Sequence, residues 1–259
     1  MELTDKIIVV TGGASGIGRA MCERFAHEGA AHVVVADMNE TGAKEVAAAI
    51  GGSAQRVDVG QEQQIVDLIE STERDHGPID LFCSNAGIGI GHGIDEPTEV
   101  WQTIWEVNTM SHVWAAKHLV PRMVARGGGY LLNTASAAGL LSQIGSVTYA
   151  VTKHAAVALA EWLSITHGDE GIKVSVLCPQ AVRTAMTANG PGVAGVDGMI
   201  EPEVAVEAVV QAIRDERFLV LPHPEVAEYI KRKTSDYDRW LTGMRRLQAQ
   251  YGAQEQPVD

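Results

Sequence analysis

Seven short apolar runs rich in β-branched residues recur along the chain, and a longer segment of helical character follows each of them. The runs are Ile7–Val10, Val33–Val35, Ala54–Val57, Leu81–Cys83, Tyr130–Leu132, Val174–Leu177 and Phe218–Leu221. Continuous apolar runs of this length suit strands covered on both faces, as in a parallel sheet. The intervening segments are long enough for the helical crossovers that parallel strands require. Gly29, and Gly51 with Gly52, stand where helices would end and need a left-handed residue. The pattern predicts an α/β fold, one doubly wound parallel sheet of about seven strands with helices on both faces. In such sheets ligands sit outside the carboxyl ends of the strands, so the chemistry is expected after Val10, Val35, Val57, Cys83, Leu132 and Leu177.

Composition narrows the class of partner. The 259 residues carry 33 acidic and 20 basic side chains, a formal net charge of -13. That balance argues against nucleic acid, whose affinity comes mostly from Lys and Arg. An apolar fraction of 46% and a charged fraction of 20% are those of a folded globular chain long enough to need no staples. Three cysteines, Cys22, Cys83 and Cys178, form no short-range pairing, so neither a disulfide framework nor a metal site is expected. No run of about 18 apolar residues suggests membrane insertion, and Met1–Lys6 lacks the features of a secretory signal. A cytoplasmic chain forming one domain over 1–259 is expected, with a polar, frayed tail from about 248.

Thr11-Gly12-Gly13-Ala14-Ser15-Gly16-Ile17-Gly18 follows the first strand. Glycines there permit a tight turn and let backbone N–H groups approach a pyrophosphate at the next helix N-terminus. Any tight strand-to-helix turn can be glycine-rich, so Asp37 carries weight. It ends the second strand nineteen positions past Gly18, near the spacing of an acid that accepts from a ribose hydroxyl. A carboxylate there repels a 2′-phosphate, and neither Met38 nor Ser15 offers a compensating charge, which favours NAD over NADP. Asp58-Val59 ends the third strand and either flanks an adenine or begins an Asx-type turn. Asn85-Ala86-Gly87 is a further small-residue loop, after the fourth strand.

Tyr149 and Lys153 are four apart in a helical stretch and share one face. A phenol has an unperturbed pKa near 10, and lowering it to about 7 takes roughly 4 kcal/mol. An ammonium at about 4 Å supplies that order of energy at an effective dielectric of ~20. Ser136, thirteen positions before Tyr149 and just after the fifth strand, brings a hydroxyl to the same cleft.

With these residues the chain resembles the short-chain dehydrogenases/reductases from Leu3 to about Trp240. The resemblance rests on Thr11-Gly12 with Gly16-Ile17-Gly18, Asp58, Asn85-Ala86-Gly87, Asn108, Ser136, Tyr149 with Lys153, and Pro179 with Thr184. Ser84 stands where the family usually has Asn, and Gln180 where it often has Gly. The resemblance implies a Rossmann-type fold and an NAD-dependent oxidoreductase interconverting a secondary alcohol and a ketone. It makes Tyr149 the general acid/base, Lys153 its electrostatic partner and ribose ligand, and Ser136 the group orienting the substrate oxygen. It makes Asn108 a helical residue holding a water in a proton relay. Thr184 and the backbone near Val182 would hold the carboxamide, a loop at about 185–200 would close over substrate, and a homotetramer is implied.

The substrate is expected to be a hydrophobic alcohol or ketone, from Met186, Val193, Val196 and Met199 with Ile88, Ile90 and Leu140 across the cleft. His92 is placed either on substrate or in solvent. Lys231, Arg232, Lys233, Arg239, Arg245 and Arg246 read mainly as a solvated helix face or subunit contact, an anionic substrate such as an acyl thioester being the alternative. Trp101, Trp105, Trp114 and Trp162 are expected in the core or between subunits. A dinucleotide-binding sensor or scaffold, and a methyltransferase on the same sheet, remain the competing functions, though the second leaves Tyr149 and Lys153 without a task.

Overall fold

The computed structural model describes residues 1–251. All seven predicted runs form strands: β1 (Ile7–Thr11), β2 (His32–Asp37), β3 (Ser53–Arg56), β4 (Leu81–Ser84), β5 (Gly129–Thr134), β6 (Ile172–Leu177) and β7 (Leu219–Val220). They pair in parallel in the order β3-β2-β1-β4-β5-β6-β7. The chain runs outward from β1 to β3 and then returns to begin β4 on the other side of β1. The order therefore reverses between β1 and β4, and the crevice at that point is where such sheets bind ligands.

Side chains alternate across the sheet and build a core on each face. Val9, Phe82 and Leu131 pack on one side, against α3 (Glu62–His76), α5 (Ser111–Ala125) and α7 (Val147–His167). Their neighbours Ile8, Val10, Leu81, Cys83 and Leu132 pack on the other, against α1 (Gly16–His27), α2 (Glu40–Ile50) and α8 (Pro202–Arg214). This two-sided burial is why the strands read as continuous apolar runs. Each fully buried Leu, Ile or Phe contributes roughly 1.5–3 kcal/mol. β3 is the exception: an edge strand, Ser-Ala-Gln-Arg, only half buried and correspondingly polar. Gly29 and Gly51 take the left-handed conformation expected of them, at φ 84° and 69°.

Two features depart from the sequence pattern. Between α4 (Thr98–Trp105) and α5 the helix widens into a π-turn over Glu106–Met110, which holds Asn108. The second is α10 (Tyr237–Tyr251), which follows α9 (Glu225–Ser235) and runs past 248, where a frayed tail is expected. Residues 248–251 complete α10, and the remainder of the polar tail lies outside the described residues. Val226, Tyr229, Ile230 and Trp240 pack on Ala137, Leu140 and Leu141 around α6 (Ala138–Leu141).

The carboxyl ends of the central strands are tied by one hydroxyl. Thr11 Oγ1 donates to Cys83 O at 3.1 Å and accepts from the N–H groups of Asn85 and Ala86, at 2.9 and 3.1 Å. Three hydrogen bonds of about 1 kcal/mol each meet there, two of them from N–H groups left unsatisfied if the oxygen is lost. Thr11→Val is expected to lower unfolding free energy by about 2–4 kcal/mol, measured by urea denaturation.

Candidate active site

A cleft of about 390 Å³ lies at the carboxyl edge of the sheet, over the switch point. The first loop forms its floor because no side chain fits there. Gly12 has φ 67°, and a Cβ on it would stand 2.9 Å from Ala86 Cα. A Cβ on Gly18 would stand 2.1 Å from Gly12 O and 2.6 Å from Asn85 Nδ2. Ser15, Gly16, Ile17 and Gly18 line the cleft at the start of α1.

The predicted acids stand on the adjoining wall. Asp37 accepts from Ala14 N at 3.0 Å through one carboxylate oxygen and from Asn39 N at 2.9 Å through the other. These N–H donors fix the carboxylate beside the glycine loop and leave lone pairs free on both oxygens. Met38, next to it, is largely exposed. Asp58 closes an Asx turn by accepting from Gly60 N at 2.9 Å, and with Val59 it lines the cleft.

Asn85 joins the floor to the reactive end. Its Nδ2 donates to Thr11 O at 3.0 Å, and its Oδ1 accepts from Thr134 Oγ1 at 3.1 Å. Thr134 O in turn accepts from Lys153 Nζ at 3.0 Å. The ammonium is buried, 5.6 Å from the centre of the Tyr149 ring, and burial lowers its pKa to about 8. Tyr149 is placed by the first turn of α7, where Ser146 caps the helix by accepting from Tyr149 N at 3.3 Å. Ser136 accepts from Ala138 N at 3.1 Å and donates to Pro179 O at 3.4 Å, and it lines the same cleft as Tyr149.

Burial pushes the Tyr149 phenol above its usual value, and the Ser136 hydroxyl is the group that pulls it back. Desolvation disfavours phenolate and ammonium alike, so the protein's own groups leave the tyrosine protonated at neutral pH.

Asn108 lies behind the cleft, fully buried in the π-turn. Its Oδ1 accepts from Ile88 N and its Nδ2 donates to Ile88 O, both at 2.9 Å. A Cβ on Gly87 would stand 3.3 Å from Asn108 Oδ1 and 3.4 Å from Lys153 Nζ. The Asn85-Ala86-Gly87 loop is thus pressed between the cleft and the lysine. Pro179, Val182 and Thr184 line the far wall. Thr187 braces that wall, its hydroxyl accepting from Thr184 N at 3.1 Å and donating to Val182 O at 2.8 Å.

The expected substrate residues divide. Ile88 and Met186 line the cleft, whereas Val193 and Val196 line a second cavity of about 570 Å³ that adjoins it at Ser136 and Gln180. Ile90, Leu140, Met199 and His92 line neither cavity. The His92 backbone instead pairs with Glu96 and Val147. Trp114 packs on the core, and Trp105 and Trp162 are exposed. Thr134, Thr187 and His112 escaped the sequence reading. Thr134 had a signal, its place at a strand end two residues before Ser136. His112 is fully buried, and burial with the nearby Lys153 ammonium holds its pKa down to about 3, so it is neutral. Its only trace in sequence is its place one helical turn after Asn108.

The sequence model of the short chain dehydrogenase family matches residues 6–191. The chain is 34% identical over 253 residues to a 1-deoxy-11-beta-hydroxypentalenate dehydrogenase of Streptomyces exfoliatus, covering 93% of this chain and 92% of that protein. It is 32% identical over 189 residues to an NAD-dependent glycerol dehydrogenase of Listeria innocua, covering 71% of this chain and 74% of that one. Its fold superposes with a TM-score of 0.84 on a short chain dehydrogenase/reductase of Burkholderia phymatum solved in complex with NAD. That structure is 26% identical, with 92% of this chain and 96% of that chain covered. The chain belongs to the short chain dehydrogenase family, a family of oxidoreductases on a Rossmann-type fold.

The glycine floor makes a direct test of the site's construction. Gly18→Ala is expected to cost about 1–3 kcal/mol, because its methyl group can be accommodated only by moving the Gly12 backbone and Asn85. Differential scanning calorimetry would register this as a lowered Tm.

Proposed function

We propose that this protein is an NAD-dependent oxidoreductase that interconverts a secondary alcohol and a ketone, with Tyr149 as general acid/base. The observation that carries the reading is the convergence of Tyr149, Ser136 and Lys153 in one cleft with the glycine floor and Asp37. The cleft fits a dinucleotide. Its floor is backbone at a helix N-terminus, suited to a pyrophosphate. Asp37 and Asp58 would take the adenosine end, with Met38 and Val59 against the ring. Asn85, Ala86 and Gly87 would lie along the middle, and Lys153 would hold the nicotinamide ribose. Pro179, Val182 and Thr184 would hold the carboxamide. Asp37 carries no compensating cation, and a 2′-phosphate beside it brings like charges together, which supports NAD over NADP. NAD also appears in the descriptions of the Listeria relative and the Burkholderia structure.

The nicotinamide supplies the hydride acceptor, and the protein's groups manage the proton. Ser136 Oγ donates to the substrate oxygen and holds it beside Tyr149 Oη. In the oxidative direction Tyr149 Oη takes the hydroxyl proton, and in reduction it returns one. Lys153 stays charged below about pH 8 and favours the phenolate as a nearby positive charge. Asn108 acts through position, clamping Ile88 and backing Gly87, and with Lys153 it would retain the water of a proton relay. The segment 185–200 closes the substrate side.

The names of the curated relatives above are those of enzymes acting on hydroxy compounds, which supports an alcohol or ketone substrate. Exposed Trp105, Val151, Trp162 and Ile165 on α4 and α7 support association of copies through these helices, with a homotetramer the reading adopted. Three free, buried cysteines suit the reducing cytoplasm. Among the described residues no helix is long and apolar enough to cross a membrane.

Tyr149→Phe is expected to reduce turnover of secondary alcohols by about 10²- to 10⁴-fold while NAD affinity changes little. Reduced-cofactor absorbance and calorimetric titration of NAD measure the two; unchanged turnover refutes the assignment. The pH dependence gives a second test. Oxidation requires the phenolate and rises as pH passes the Tyr149 pKa. Ser136→Ala removes the hydrogen bond that lowers this pKa, so the rising limb of kcat/KM is expected at higher pH than in the wild type.

A further inference from the structure

The second cavity has a composition that the proposed reaction alone does not require. Leu141, Ile144, Val196, Trp240, Met244 and Leu247 give it apolar walls, and at one end it reaches Ser136. Arg232 of α9 and Arg239 of α10 also line it, and among the described residues no Asp or Glu does. This is unusual in a chain of net charge -13.

Neither guanidinium is neutralised by a carboxylate at ion-pair distance among the described residues. Arg232 rests over the Tyr229 ring, 5.7 Å from its centre. Their basic neighbours are otherwise engaged. Lys231 pairs with Glu228, Lys233 Nζ donates to Leu140 O at 2.6 Å, and Arg245 donates to Thr242 Oγ1 at 2.9 Å. Within the basic cluster of the C-terminal helices, Arg232 and Arg239 are thus the two that line the cavity.

The opposite end is polar in a complementary way. Ser136 and Gln180 line both the cavity and the cleft, so the junction between the two is polar. A ligand that satisfies both parts carries a hydroxyl at the Ser136 junction, an apolar body, and an anionic group for the arginines. Guanidinium forks match carboxylates in bidentate geometry.

We infer that the substrate is an apolar hydroxy acid, or the corresponding keto acid, whose carboxylate is held by Arg232 and Arg239 at the end of the second cavity remote from Tyr149. The inference rests on the alcohol–ketone reading above and adds the charge and shape of the substrate.

The test uses fatty acids hydroxylated at the penultimate carbon, from hydroxyhexanoate to hydroxydodecanoate, each paired with its primary amide. With the full chain and NAD, kcat/KM for the best acid is expected to exceed that for its amide by about ten-fold or more, as for hydrogen bonds to a charged group. The double variant Arg232→Gln/Arg239→Gln is expected to bring the ratio close to one, through KM rather than kcat. Arg245→Gln, on the same helix but outside the cavity, keeps the wild-type ratio. A ratio near one in the wild type, or one that survives in the double variant, overturns the inference while leaving the alcohol–ketone reading intact. If neither acid nor amide is oxidised, calorimetric titration of both into the NAD-containing protein decides separately. Ten-fold tighter binding of the acid that disappears in the double variant supports the carboxylate site, and equal binding of acid and amide overturns it.

Discussion

The site depends on a short chain of hydrogen bonds running across the carboxyl ends of three strands. Thr11 on β1 holds the Asn85 backbone after β4, Asn85 holds Thr134 at the end of β5, and the Thr134 carbonyl receives the Lys153 ammonium. These groups are largely removed from water, so each has its partner within the protein or loses it altogether. The consequence is geometric. The glycine floor, the Asn85-Ala86-Gly87 loop and the lysine of α7 are held in register by one network, although more than a hundred residues separate Thr11 from Lys153 in sequence.

The electrostatics follow from the same enclosure. Burial lowers Lys153 toward about 8 and raises Tyr149, opposing shifts on the pKa scale that both disfavour charge. A phenol so placed is a proton donor at rest. It becomes a base only when other groups favour its anion, and Ser136 is a neutral group that does so. In the proposed mechanism one hydroxyl would serve both substrate orientation and base strength, which is why removal of Ser136 should move a pH profile as well as a rate.

The C-terminal helices turn a cofactor cleft into a site of defined length. α9 and α10 pack over α6 and close the cavity that begins at Ser136. Their apolar faces serve partly as core and partly as cavity wall. The two guanidiniums stand where that wall meets water, where a charged head stays solvated above an apolar stem.

The sequence by itself determined the strands, their parallel pairing and the identity of most cleft residues. Local rules sufficed for these: β-branched runs buried on both faces, glycines where a Cβ would collide, an acid at a strand end, and Tyr149 with Lys153 one helical turn apart. Asp37, Asn85 and Ser136 were legible because strand ends in such a sheet converge on one edge. The tertiary structure decided what depends on distant neighbours. It placed Asn108 in a π-turn, made His112 a neutral buried ring, and tied Lys153 to Thr134. It also set the desolvation of Tyr149, which depends on all the atoms packed around the phenol and leaves no periodic trace in sequence. The basic cluster near the C-terminus looked uniform as a string of letters. Only the packing of α9 and α10 on the body, which lines a cavity with Arg232 and Arg239, could tell its members apart.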